Sequence, residues 1–430
     1  MAYKTKPIDC WQKAKELSAW HYNSAIHAKE EGRLLVVGGA GLPYEVVAGF
    51  GEFASLQGEP YAARVGHVPD FATECAEEVE RRGFARELCS YMRMYWGSMF
   101  LGRTPWGPFP KPDFGIQLQI CDTHGKWFQQ VCEHFDVPYY CLDIPWYNSL
   151  LAGRKKRSVE YVVQQFEEFI EQAEKDIGLT FDDEKLIKAT INGNRTETLW
   201  SEICNLQKSV PAPLGIKDLY TLYVPVVQFK HTDEAWQYYE VLLDEVKDRV
   251  ANQIAAVENE RCRLIHENLP PWHTLRILRF FEQYGVVLLG SRYLFFNWGL
   301  WQIDEKGEYV PRPSLEKAGQ VPRNRQEALT YLATRYLDRD PSLYDWNEAE
   351  KMGMMLVQQW QAGGYIVPNS RGCETQGPYF QYLCDRLRQL GIPSMIYESN
   401  NVDNREFLEG DVLDRFEAFL EGLGLTKLGT

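Results

Sequence analysis

The sequence predicts an α/β protein built as two parallel-sheet lobes with a helical insertion between them. Three observations predict it: short apolar runs that end in glycine or proline turns, amphipathic stretches between those runs, and a middle block with helical periodicity only. At 430 residues the chain exceeds one average domain, and 45% hydrophobic with 25% charged residues suits a globular protein with a large core.

In the first lobe, Leu34-Leu35-Val36-Val37 runs into Gly38-Gly39-Ala40-Gly41, the pattern of a buried parallel strand feeding a loop. Phe114 to Ile120 and Pro138 to Ile144 are the next expected strands, and the amphipathic stretch Lys126 to Phe135 between them completes a β-α-β order. Val159, Val162, Val163, Phe166, Phe169, Ile170 and Ala173 then recur at helical spacing, and further helices are expected over 183–207 and 233–262. Strands return at Val286–Leu289, Tyr365–Val367 and Met395–Tyr397. Helical patterns near 325–338, 347–362 and 376–390 separate them, and an amphipathic helix over 411–422 closes the chain. The expected domains are 1–153, an α/β lobe with N-terminal helices; 154–265, helical; and 266–430, a second α/β lobe.

Sixty acidic residues against 46 basic ones give a formal charge of -14, which argues against a nucleic-acid groove. The first residues contain no apolar signal region, and no apolar run approaches the roughly 20 residues of a membrane helix. A cytoplasmic protein, without nucleic-acid or membrane partners, is expected.

Ten cysteines lie scattered with no CxxC pair, which excludes thioredoxin-type chemistry, the usual zinc ribbons and bacterial ferredoxin spacing. In a reducing compartment disulfides are not expected, and seven of the ten read as small buried hydrophobes. The other three stand where ligands bind. Cys121 follows the strand 114–120 and opens Cys121-Asp122-Thr123-His124-Gly125-Lys126-Trp127-Phe128; Cys373 follows the strand 365–367 in Pro368-Asn369-Ser370-Arg371-Gly372-Cys373. Ligands of open α/β sheets sit beyond strand carboxyl ends, and these two cysteines come from opposite lobes. Cys89 marks an expected helix start in Leu88-Cys89-Ser90-Tyr91, where nearby amides favour a thiolate. Gaps of about 32 and 252 residues do not by themselves define a site.

These segments, taken in order, resemble the larger subunit of the benzoyl-CoA reductase/2-hydroxyacyl-CoA dehydratase family. Leu88-Cys89-Ser90-Tyr91 is similar to the family's first cluster-cysteine segment, and Cys121 with Lys126-Trp127-Phe128 resembles the second, followed by Asp143-Ile144-Pro145. Pro271-Trp272 with Ser291-Arg292-Tyr293, Asn369-Ser370 through Cys373, and Glu398 through Phe407 with Val402-Asp403 inside it resemble three further blocks. The resemblance implies two flavodoxin-like lobes with a [4Fe–4S] cluster in the cleft, held by Cys89, Cys121 and Cys373 and leaving one iron without a cysteine. It further implies a smaller homologous cluster-bearing subunit, an ATP-dependent iron–sulfur activator with ferredoxin as upstream donor, and an aroyl-CoA substrate. The chain has no GxxxxGK[ST] loop, and Gly38–Gly41 lacks the lysine such a loop requires, so ATP is expected to be hydrolysed elsewhere.

Other residues carry two readings each. Glu45 matches a Pro-x-Glu element of the family and serves either as a catalytic acid/base or substrate-positioning group, or as a cap on the helix that follows. His124 is either a proton donor or a packed histidine at a helix start, and the family varies there. Arg154-Lys155-Lys156-Arg157 reads as a solvated turn, with CoA phosphates or activator docking as the alternative. Tyr91, Tyr95, Trp96, Phe100, Trp106 and Phe109 read as core packing before acyl-pocket lining. The surroundings of Cys89, Pro271-Trp272 and Val402-Asp403 look closer to the reductase members. The first expectation is therefore ATP-dependent benzoyl-CoA reduction, with 2-hydroxyacyl-CoA dehydration and a double-cubane cluster reductase as alternatives.

Overall fold

A computed structural model describes residues 2–145, 153–344, 346–373 and 377–429. The first sheet contains β1 (Leu34–Gly38), β2 (Phe53–Gln57), β3 (Phe114–Leu118) and β4 (Tyr139–Leu142), in the order β2-β1-β3-β4 and all parallel. The second contains β5 (Cys262–His266), β6 (Val286–Leu288), β7 (Gly364–Ser370) and β8 (Ser394–Ser399), in the order β6-β5-β7-β8 and again all parallel. The expected α/β class with two parallel sheets flanked by helices is what forms. Both sheets follow the flavodoxin-like order, so each has a switch point between its first and third strands, where a crevice opens at the carboxyl ends.

Two of the eight strands escape the sequence patterns, and both contain buried polar residues. In β2, Gln57 is buried and its Nε2 donates to Ser55 Oγ and to the Gln228 carbonyl, each at 2.7 Å. In β5, buried Arg263 bonds the carbonyls of Trp360, Ser209 and Gln207 and pairs with Glu260 at 2.9 Å. Satisfied polar groups remove the continuous apolar run by which a buried strand is recognised. The helix expected over 233–262 ends at Ala251 instead; Gln253 then takes φ 52°, and the chain turns toward β5.

The helices begin where side chains cap them. Asp182 accepts from the amides of Glu184 and Lys185 at the head of the helix Asp183–Leu206, and Thr232 accepts from Ala235 before the helix Asp233–Ala251. The outer face of the first sheet buries Val36, Phe114 and Ile116 against Val162, Phe166 and Ile170 of the helix Lys155–Ile177. Leu329, Leu332 and Ala333 of the helix Arg325–Tyr344 join that same core, so a late segment returns to cover the first sheet. Among the described residues, no helix is long and apolar enough to cross a membrane.

His21 and His266 are buried, and burial lowers each to about 3. Their folded values lie below the unfolded value of about 6.5, so the stability they contribute is complete above it and is lost as pH falls toward 3. We expect stability to fall below about pH 6, by up to about 1.4 kcal/mol per pH unit for each histidine. Chemical denaturation at stepped pH checks this: His266→Phe should flatten the slope, and an unchanged slope would refute the assignment.

Candidate active site

A cavity of about 560 Å³ opens at the carboxyl ends of both sheets. Ala40 and Gly41 after β1, Cys121 after β3 and Asp143 after β4 line it from the first lobe; Leu269 after β5, Cys373 after β7 and Asn401 after β8 line it from the second. Cys89 reaches the same cavity as the residue that precedes the helix Ser90–Phe100. The structure thus brings together Cys89, Cys121, Cys373 and His124, four of the five residues singled out from sequence. Cys121 and Cys373 hold equivalent places, each just past the third strand of its sheet. The remaining seven cysteines do not line the cavity: five are buried, Cys262 is half-buried and Cys141 is exposed.

Burial pushes the Cys89 thiol up to about 12, and the neighbouring Cys373 and Cys121 push it the same way while His124 opposes them. Three half-buried thiols lining one cavity resist ionising together unless a cation joins them, which is the environment a metal group relieves. Among the described residues no cluster of ligands suits a single metal ion. A polynuclear iron–sulfur group would fit better: Cys89, Cys121 and Cys373 would each hold a different iron, and the thiols would not need to converge on one point. When bound, such a group supplies single electrons at low potential.

His124 Nδ1 lies 2.9 Å from Cys121 Sγ, and its Nε2 lies 2.5 Å from Glu59 Oε1. The other Glu59 oxygen accepts from the Ala40 amide at 2.8 Å. Burial works against charge on His124, but the Glu59 carboxylate and then Cys121 outweigh it, so the imidazole is held protonated. Glu59 shifts consistently: burial opposes its ionisation, His124 overcomes that, and its carboxyl falls below the usual range. The Cys121–His124–Glu59 line therefore fixes one cavity thiol through two hydrogen bonds. With Cys121 as a metal ligand, Glu59→Gln is expected to weaken metal retention and activity by about 10–100-fold, the usual effect of removing an outer partner. Iron analysis beside turnover checks it, and unchanged values would contradict the assigned role.

Glu45 does not line the cavity. It is buried in the short helix Tyr44–Ala48 and pairs with Lys230 at 2.9 Å; Lys230 also pairs with Glu197 at 2.9 Å, and Glu197 with Arg335 at 3.1 Å. That placement gives no support to its acid/base reading. Of the aromatic residues between 91 and 109, only Tyr91 faces the cavity, while Tyr95, Trp96 and Phe109 are core. Arg154, Lys156 and Arg157 are exposed at the start of the helix Lys155–Ile177. Glu59, Trp298 and Arg339 line the cavity and were not found from sequence; Tyr293, quoted only within a family-like block, lines it as well. Glu59 stands just past β2, a strand the hydropathy pattern conceals, and Arg339 lies on a helix that returns from far along the chain.

The profile of the family described as HGD-D, 2-hydroxyglutaryl-CoA dehydratase, D-component, matches residues 41–423. The chain is 25% identical over 411 residues to the (R)-phenyllactyl-CoA dehydratase alpha subunit of Clostridium sporogenes, spanning 95% of this chain and 94% of that protein. It is 25% identical over 431 residues to lactoyl-CoA dehydratase subunit alpha of Anaerotignum propionicum, spanning 95% and 96%. A third relative, (R)-2-hydroxyglutaryl-CoA dehydratase subunit alpha of Acidaminococcus fermentans, is 24% identical over 319 residues, 73% of this chain and 61% of that one. Each of these is a dehydratase subunit, where the sequence blocks had looked closer to the reductases. With a match over residues 41–423 that includes all three cavity cysteines, the chain belongs to the 2-hydroxyglutaryl-CoA dehydratase, D-component family.

Proposed function

We propose that this chain is the iron–sulfur subunit of an enzyme that eliminates water from a 2-hydroxyacyl-CoA thioester. The observation that carries the proposal is the convergence of Cys89, Cys121 and Cys373 on one cavity, in a chain whose full-length relatives are named as dehydratase alpha subunits. The proposed cofactor is a [4Fe–4S] cluster held by those three thiolates, with one iron left for a non-protein ligand. Dehydration yields an enoyl-CoA and water with no net gain of electrons.

The chain's own groups supply the surroundings. Tyr91, Trp127, Tyr293 and Trp298 wall the cavity and exclude water from the acyl group. His124 holds a proton between Cys121 and Glu59, which makes it first a positioning residue for the thiolate and second a proton source for the departing hydroxyl. The relatives' names as alpha subunits support assembly with a second subunit, here proposed as a smaller homologous cluster-bearing chain. The missing phosphate loop supports a separate ATP-dependent iron–sulfur activator, charged by ferredoxin.

A second reading is reduction of an aroyl-CoA ring, favoured by the four aromatic walls, which suit a planar acyl group. An anaerobic assay with partner subunit, activator, reductant and ATP separates the two. Dehydration is expected to continue over many turnovers after one activation. ATP and reductant consumed in proportion to product, with loss of benzoyl-CoA, would replace it with ring reduction. Iron near eight per chain would instead favour a double-cubane reductase.

A further inference from the structure

Cys89 is held in place from the opposite lobe. Arg93 lies one turn into the helix that follows it, and its amide donates to the Cys89 carbonyl at 3.1 Å. The Arg93 side chain is 1% exposed; its Nε donates to the Leu88 carbonyl at 3.0 Å, and its Nη1 lies 2.9 Å from Asp403 Oδ2, in a carboxylate also 1% exposed. Asp403 belongs to the loop after β8 in the second sheet. Within the second lobe the Asn401 carbonyl of that loop accepts from the Trp272 amide at 2.9 Å, and the Trp272 indole N–H crosses to donate to the Tyr91 hydroxyl of the first lobe. Beside Cys373, Gly372 has φ 77°, and a Cβ there would lie 2.8 Å from the Glu87 carbonyl oxygen and 3.1 Å from that of Leu88. The loops that bear Cys89 and Cys373 therefore touch backbone to backbone, with no side chain between them.

We propose that Arg93 is a positioning residue that sets Cys89 against Cys373, so that retention of the cluster depends on the Arg93–Asp403 pair across the two lobes. The proposal rests on the cluster reading above. A buried ion pair is no more stabilising than apolar packing of the same shape, so its value here is directional: one nitrogen fixes the carbonyl before Cys89 while another fixes the second lobe. The pair also gives Asp403 of the Val402-Asp403 block a structural role.

Removing Arg93 leaves Asp403 partnered. Arg405 Nη2 pairs with Asp403 Oδ2 at 2.8 Å and with Glu80 at 2.6 Å, so Arg93→Met does not strand a buried carboxylate. The test uses the full chain reconstituted anaerobically with iron and sulfide. It reads iron per chain, the electron paramagnetic resonance spectrum of the reduced protein, and the rate of iron loss to a ferrous chelator. Arg93→Met is expected to lose iron about 10–100-fold faster with an altered spectrum, and Arg93→Lys to recover part of the difference. Arg263→Met, which removes a buried arginine paired with Glu260 away from the cavity, is the control and should leave rate and spectrum unchanged. Wild-type behaviour of Arg93→Met, or equal acceleration in Arg263→Met, would overturn the inference while the cluster stands. A wild-type chain that takes up no iron would overturn the cluster reading and this inference with it.

Discussion

Replacing Cys89, Cys121 or Cys373 by alanine is expected to take the iron of the anaerobically purified chain from about four atoms to less than one and to abolish turnover. In the proposed cluster each thiolate would hold a different iron, so loss of one would expose a second corner and destabilise the whole group. Replacing Cys75 or Cys204, both buried away from the cavity, should cost stability and leave the iron in place. Full iron content in all three cavity variants would remove the basis of the proposed function. The distinction matters because all ten cysteines belong to one residue type and only position separates them.

Lys230→Met is expected to be the most destabilising single change outside the cavity, by about 3–5 kcal/mol. Lys230 is buried between Glu45 and Glu197, at 2.9 Å from each, and Arg335 approaches Glu197 from the other side. Burial alone would neutralise Glu197, but Arg335 and then Lys230 hold its carboxyl below the usual range. Without the ammonium, Glu45 loses its ion-pair partner, and one of its buried oxygens already makes no hydrogen bond. Urea denaturation at neutral pH measures the loss. Adding Glu45→Gln to Lys230→Met should recover part of it, and no recovery would mean that the damage is steric. The network joins the helix Tyr44–Ala48, the helix Asp183–Leu206 and the returning helix Arg325–Tyr344, so it fastens the first sheet to distant segments.

The sequence exposes the elements that obey hydropathy and conceals those that do not. Cys121 and Cys373 are legible because apolar strands precede them, and strand ends are where α/β crevices form. Cys89 has no such signal; the helix start and the family-like block were its only marks. The repeated strand order is not legible, since β2 and β5, one from each sheet, contain the polar residues Gln57 and Arg263. Glu59 is lost with β2 for the same reason. Periodicity shows that the segment 325–338 is helical and amphipathic but not that its apolar face belongs to the first sheet. The reading of Glu45 stayed open in the sequence because a carboxylate after a glycine turn has the same pattern whether it meets a substrate or a buried lysine.

Whether one cluster is held by three cysteines at the junction of two like sheets can be read from Mössbauer spectroscopy of the chain reconstituted with iron-57. A single cluster is expected whose irons divide about 3:1 between cysteine-bound and differently ligated sites. Four equivalent irons, two clusters per chain, or no bound iron would contradict it.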